Sequence, residues 1–185
     1  MTQMKELLQD QLEDLLNAEA QLTKALPEMV NAAHHPKLKE ALEKHLVQTE
    51  GHIERLKNAF GMLGEKAQSK PCKGMMGLIE EGQEVIAKGK EKDELTADLA
   101  LITAAQKVEH YEISAYGTAK SLARLLGEID VAKLLTHTLG EEESADFLLT
   151  EIAKPLAQDA LRADGAGKVE HHVRKTAASA KAASK

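Results

Sequence analysis

Residues 64–94 read GEKAQSKPCKGMMGLIEEGQEVIAKGKEKDE, and how this stretch is taken decides the fold. It holds Pro71, Cys72 and, after Gly64, the glycines Gly74, Gly77, Gly82 and Gly89, with one short apolar patch over residues 75–86. That composition predicts a connection carrying a short helix of about three turns. On either side, apolar residues recur at helical spacing over longer spans. Upstream, Leu8, Leu12, Leu15, Leu22, Leu26 and Met29 mark a helix over about 4–33. Leu38, Leu42, Leu46, Thr49, Ile53, Leu56 and Phe60 mark a second over about 37–63. His35-Pro36 leaves only a short turn between them, so the second folds back antiparallel. Pro27 should kink the first. Downstream, a third helix is expected over about 93–126 and a fourth over about 128–153. Gly127 separates these two, and Pro155 should end or bend the last.

Two antiparallel hairpins joined by about 30 residues describe an all-α four-helix bundle with a long crossover that carries a short extra helix, the ferritin-like arrangement. The alternative is a plain up-down-up-down bundle on which 64–94 forms a lid. Such a bundle needs only a short middle loop, which favours the crossover. Residues 1–163 are assigned to the bundle and 164–185 to an Ala/Lys-rich C-terminal tail. Five Lys or Arg stand against one Glu between residues 165 and 185, and the tail is expected to be frayed or disordered.

Composition points the same way. Among 185 residues there are two Phe, two Tyr and no Trp, so Leu, Ala, Ile, Val and Met must fill the core. So few aromatics argue against a base-stacking nucleic-acid platform, a membrane barrel and an all-β sandwich. The formal charge is −6, and the basic tail leaves the body more acidic still. Nucleic acid is therefore not an expected partner. Cys72 stands alone, which excludes an intramolecular disulfide and suggests a reducing compartment. No run approaches 18 apolar residues, and the acid-rich N-terminus lacks a leader's apolar core. A cytoplasmic protein without a membrane partner is the expectation.

Acidic residues fall where a bundle calls for leucine. Glu19 interrupts the leucines of the first helix at heptad spacing, and Glu50 borders the stripe of the second between Leu46 and Ile53. In the third, Glu109 breaks the line Leu99, Ile102, Gln106, Ile113, and Glu112 lies one turn along the same face. In the fourth, Asp146 breaks the line Ala132, Leu135, Leu139, Leu149, with Glu142 and Glu143 on its borders one turn before. Any one such residue is most often an edge carboxylate reaching water. Four at matched depth on four helices are better explained by a shared cation, because each buried carboxylate alone would cost several kcal/mol. Oxygen-rich ligands point to Fe or Mn. His45, His52 and His110, taken singly, read as hydrogen-bonded or exposed. Bundle di-metal sites usually supply Glu-x-x-His from each of two helices. Here those positions read Glu50-x-x-Ile53 and Glu143-x-x-Asp146, so His45 and His52 stay open as alternatives to Glu50.

The segments AEAQLTKALPEM (18–29), HLVQTEGHIERL (45–56), GLIEEGQEVI (77–86), AAQKVEHYEISAYGT (104–118) and TLGEEESADFLLTEIA (138–153) carry a resemblance. Over about residues 4–160 the chain resembles the YciE/YciF family of ferritin-like bacterial stress proteins, most specifically in VEHYEISAYG. The resemblance implies a ferritin-like bundle, a homodimer, stress-linked expression in the cytoplasm and a di-iron centre, but no settled reaction. It places Glu19, Glu109, Glu143 and Asp146 in the family's motifs. With the inward acids, the expected metal set is Glu19, Glu50, Glu109, Glu112, Glu143 and Asp146. Two iron ions, or manganese in a catalase-like variant, would oxidise ferrous iron or consume dioxygen or peroxide. Tyr116 would bond a ligand or relay an electron, unless it only fills the core. Tyr111 and Phe147 are expected near the same level. The alternative is a non-enzymatic dimeric stress protein that sequesters metal or binds a partner protein.

Overall fold

Helix starts follow from capping residues already visible in the chain. Thr2 Oγ1 accepts from Lys5 N to open α1 (Gln3–Ala32), and His35 with Pro36 at the first position opens α2 (Pro36–Met62). The Cys72 thiol accepts from Met75 N at the start of α3 (Lys73–Gly89), and the Asp93 carboxylate accepts from Thr96 N at 2.9 Å to start α4 (Glu94–Leu125). α5 runs Ile129–Ala182. This computed structural model describes the backbone of residues 2–182 and the side chains of residues 2–165. Gly64 and Gly127 turn the chain after α2 and α4 with φ of 72° and 79°, conformations that strain any residue with a Cβ.

Two expectations change. α3 has 17 residues, longer than the apolar patch suggested. Of the alternatives at Pro155, an end or a bend, the end does not occur: Pro155 lies inside α5, as Pro27 lies inside α1. A proline forfeits one intrahelical bond, but Leu149, Ile152 and Leu156 are buried on both sides of Pro155 and hold the helix to the bundle. The side chains of the Ala/Lys-rich tail from residue 166 on lie outside the described residues.

α1, α2, α4 and α5 form the bundle, and the buried apolar residues divide into two clusters, one toward each end. The first joins Leu22 to Met29, Leu38 and Leu42, Leu101 to Val108, and Leu149 to Leu156. The second joins Leu8 to Leu16, Leu56 to Phe60, Tyr116 to Ala123, and Val131 to Leu139. The C-terminal half of α2 and the C-terminal half of α4 thus share one end, while α4 begins at the other. The connection between α2 and α4 therefore travels the length of the bundle: it is a crossover, and the fold is ferritin-like. The chain climbs beside α1, where Cys72 N donates to Asn17 Oδ1 at 2.8 Å and Gln21 donates to the Cys72 carbonyl at 3.0 Å. α3 then packs on α4 and α1. At the upper end the Asp98 carboxylate, 2% exposed, accepts from His34 N at 2.9 Å and His35 N at 2.6 Å, tying the α1–α2 turn to α4.

Candidate metal centre

Between the two apolar clusters every bundle helix replaces its inward apolar residue with a polar one. On α1 this is Glu19, between Leu15 and Leu22. On α2 the line Leu38, Leu42, Leu56 continues through His45, Thr49 and His52. α4 supplies Glu109 and Glu112 between Val108 and Tyr116, and α5 supplies Glu142 between Leu139 and Leu149. Glu19, His52, Glu112 and Glu142 have no exposure at all, whereas Glu109 keeps 3% and His45 5%.

The donor atoms fall into two groups that share Glu142: His45, Glu109, Glu112 and Glu142 form one, and Glu19, His52 and Glu142 the other, with atoms within 4.8 Å of one another in each. His52 Nδ1 lies 2.9 Å from Glu142 Oε1 and 3.3 Å from Glu19 Oε1. His45 Nε2 lies 3.4 Å from Glu109 Oε1 and 3.7 Å from Glu142 Oε2. Tyr116, fully buried, donates its hydroxyl to Glu19 Oε1. Few of these approaches satisfy the groups involved. Among the described residues, the buried side-chain nitrogens and oxygens without a hydrogen-bond partner all belong to this layer. They are Glu19 Oε2, His45 Nδ1, His52 Nδ1, Glu109 Oε2 and both oxygens of Glu112 and of Glu142. Native interiors pair such atoms, since each orphan costs about 1–3 kcal/mol.

Electrostatics repeat the point. Burial, then the neighbouring Glu142, holds the Glu109 carboxyl well above the usual carboxylate range, and burial with Glu19, Glu142 and Glu109 does the same to Glu112. Burial also raises Glu19, against the opposing pull of His52. Burial disfavours a charged His52, but Glu142 and Glu19 outweigh it and carry the imidazole up to about 10. Burial lowers His45, leaving a neutral ring with a lone pair to offer. On the far side of His52, Nε2 lies 3.0 Å from Glu141 Oε2, which Arg55 also contacts at 2.5 Å. Arg55 and His52 hold the Glu141 carboxyl low despite its partial burial. An ionised Glu141 can only accept, so His52 Nε2 carries a proton and Nδ1 is the nitrogen turned to the cluster.

The structure brings Glu19, Glu109 and Glu112 together and places the other expected ligands elsewhere. Glu50 is exposed, because the inward positions of α2 are His45, Thr49 and His52, one residue out of phase with the apolar stripe. Glu143 is exposed, and Glu142, expected only at the border, points inward. Asp146 is half-buried at the α4–α5 seam, where it accepts from Gln106 at 2.9 Å and lies 3.3 Å from His110. Tyr111 belongs to a different contact, donating to Asp14 Oδ2 at 2.5 Å with the Cys72 sulfur 2.9 Å away. Phe147 is 64% exposed and takes no part. His45 and His52, open in the sequence as alternatives to Glu50, and Glu142, read there only as a border residue, are the inward groups, and the 3–4 spacing Leu42, His45, Thr49, His52, Leu56 carried the signal on α2.

Comparison with known proteins now bears on this layer. Residues 3–162 match the family model described as a domain of unknown function, DUF892. The chain is 47% identical over 143 residues to protein YciF of Escherichia coli (strain K12), covering 77% of this chain and 85% of that protein. The chain belongs to the YciE/YciF family. A crystal structure described as that of the E. coli stress protein YciF superposes with a TM-score of 0.80 at 41% identity, over 85% of this chain and 99% of that one. YcfI from Rhodopseudomonas palustris gives 0.76 at 40% identity, over 80% and 94%. A protein from Xanthomonas campestris pv. campestris, 20% identical, shares the fold with a TM-score of 0.67 over 88% and 99% of the chains. The bundle is ferritin-like, and its buried His/Glu groups could hold a metal ion. No described helix is long and apolar enough to cross a membrane.

Proposed function

We propose that the buried layer binds two transition-metal ions sharing Glu142, iron before manganese, and that the protein is a dimeric cytoplasmic stress protein with ferroxidase-like or peroxide-consuming activity. One observation carries this reading: the orphaned donor atoms converge from all four bundle helices on one level between two apolar clusters. The carboxylates of Glu19, Glu109, Glu112 and Glu142 match in charge two divalent ions, which turns a repulsive set into a neutral one. Carboxylate oxygen with imidazole nitrogen suits Fe or Mn, and the absence of thiolate argues against a structural zinc site. Bound iron would supply one electron per ferrous ion, and the pair, with two protons taken from water, would reduce dioxygen to hydrogen peroxide or hydrogen peroxide to two waters. The residues do the rest. Glu109 and Glu112 would stand on one side and Glu19 with His52 on the other. Tyr116 holds the Glu19 carboxylate through Oε1 and leaves Oε2 without a partner. The two apolar clusters exclude bulk water above and below. The stress-linked role rests on likeness to the E. coli stress protein YciF and on family membership.

Metal analysis of purified protein, followed by ferrous oxidation in a spectrophotometer, tests the reading. About two metal ions per chain and loss of binding in Glu142→Ala are expected. A wild-type chain that takes up no transition metal would sink it, and metal binding without oxidation would leave sequestration as the function. Sedimentation at several concentrations checks the dimer.

A further inference from the structure

The layer is closed almost everywhere. Apolar clusters lie above and below, Tyr116 backs Glu19, and Arg55 with Glu141 and Thr138 seals the seam beside His52, its Nη1 donating to Thr138 Oγ1 at 3.1 Å. Only His45 and Glu109 among the cluster residues keep any exposure, 5% and 3%. Both line a cavity of about 50 Å³ between α2 and α5. Its apolar walls are Ala41, Leu42, Ala145, Leu148 and Leu149, and Lys44, Gln48, Glu141 and Ser144 add polar ones; Lys44, Ser144 and Leu148 are exposed at the surface. The cavity therefore joins solvent to the His45 half of the cluster and does not touch the Glu19–His52 half.

Size and chemistry restrict what can use it. A single water needs about 10–15 Å³, so about 50 Å³ holds only a few water-sized groups, enough for dioxygen or hydrogen peroxide and too little for a bulky organic substrate. The accessible lining is more apolar than polar even with Lys44, Gln48 and Glu141 in it, which favours a neutral species over a hydrated ion. From these features we infer that the α2–α5 opening is the route by which a neutral oxidant of two heavy atoms, dioxygen or hydrogen peroxide, reaches the centre on its His45 side. The inference rests on the metal reading above, and it adds which half of the centre meets the oxidant and why larger substrates are refused.

Nitric oxide is a neutral two-heavy-atom probe that colours ferrous protein. Its association with the iron-loaded full chain is followed by anaerobic stopped flow for the wild type, Ala145→Phe and Leu148→Ala. Filling the cavity with Ala145→Phe should slow association at least about tenfold, and widening it with Leu148→Ala should speed it several-fold, with iron per chain unchanged in both. If Ala145→Phe does not fold, Ala145→Leu takes its place; Leu148 is 40% exposed, so its truncation leaves the core intact. Equal rates in all variants at equal iron content would overturn the route while leaving the metal centre standing. A wild-type chain that binds no iron would overturn both.

Discussion

Replacing Glu112 by leucine should stabilise the metal-free protein and remove its response to metal. Glu112 is fully buried, neither carboxylate oxygen has a partner, and Glu19, Glu142 and Glu109 crowd it. Without metal it contributes a desolvated carboxyl and no bond. Orphaned buried polar groups cost about 1–3 kcal/mol, and exchanging buried ionic groups for apolar ones of similar volume gains about 1–4 kcal/mol. A gain of about 2 kcal/mol is reasonable, equivalent to about 4–8 °C in Tm for a chain of this length. Metal acts oppositely. At a free concentration about a thousand times Kd, binding stabilises the wild type by about 4 kcal/mol, and a variant lacking one ligand receives little of it. Thermal melts by circular dichroism, with chelator and then with Mn²⁺, should therefore show the order of the two proteins reversing. A variant melting below the wild type in chelator, or both proteins rising equally with Mn²⁺, would refute the claim that Glu112 is held in place for an ion.

In chelator, stability should fall as pH rises from about 4.5 toward about 10, measured by urea unfolding. Glu19, Glu109 and Glu112 have raised folded values, so their contribution is complete below the ordinary value of 4.5 and is lost as pH rises through the raised ones. His52 has the same sign, its contribution complete below 6.5 and lost through about 10. Metal affinity should instead rise with pH, because the ligands must lose protons. Asp98→Ala leaves the His34 and His35 amides without their acceptor and should cost about 2–4 kcal/mol, read as a lower urea midpoint at unchanged slope. Gly74→Ala puts a Cβ 2.7 Å from Tyr111 Cε2 and should cost about 1–3 kcal/mol, a penalty that shrinks when Tyr111→Ala is present too.

The fold was legible because its markers are abundant and redundant. The apolar spacing of the four long helices, the short His35-Pro36 and Gly127 turns and the long middle stretch together favour a crossover over a plain bundle with a lid, and the structure has the crossover. At Pro155 local propensity allowed an end or a bend, and burial of Ile152 and Leu156 on either side keeps the helix going. Asp98 gave no signal, because its partners are backbone amides 63 and 64 residues away in sequence.

The candidate site was legible on α1 and α4 and misphased on α2 and α5, for one reason. Phase is read from apolar residues, and a polar site removes them at the level where phase matters. On α1 and α4 one or two acids interrupt an otherwise apolar line, so their neighbours fix the angle. On α2 the inward positions His45, Thr49 and His52 are all polar, while the half-buried Leu46 and Ile53 stand beside them. Following the leucine and isoleucine rotates the helix by one residue, about 100°, and brings Glu50 toward the core at the expense of the histidines. On α5 the acids Glu141, Glu142 and Glu143 fan out at that same angle. Glu142 faces the cluster, Glu141 reaches back to Arg55 and His52, and Glu143 is left to solvent. Three identical neighbours carry no phase of their own. Only the count back from Leu149 and forward from Leu139 selects Glu142, since it completes the 3–4 spacing Leu135, Leu139, Glu142, Asp146, Leu149. A buried polar layer therefore hides its own ligands from hydrophobic periodicity, and the flanking turns on both sides, rather than the nearest apolar residue, are what locate them.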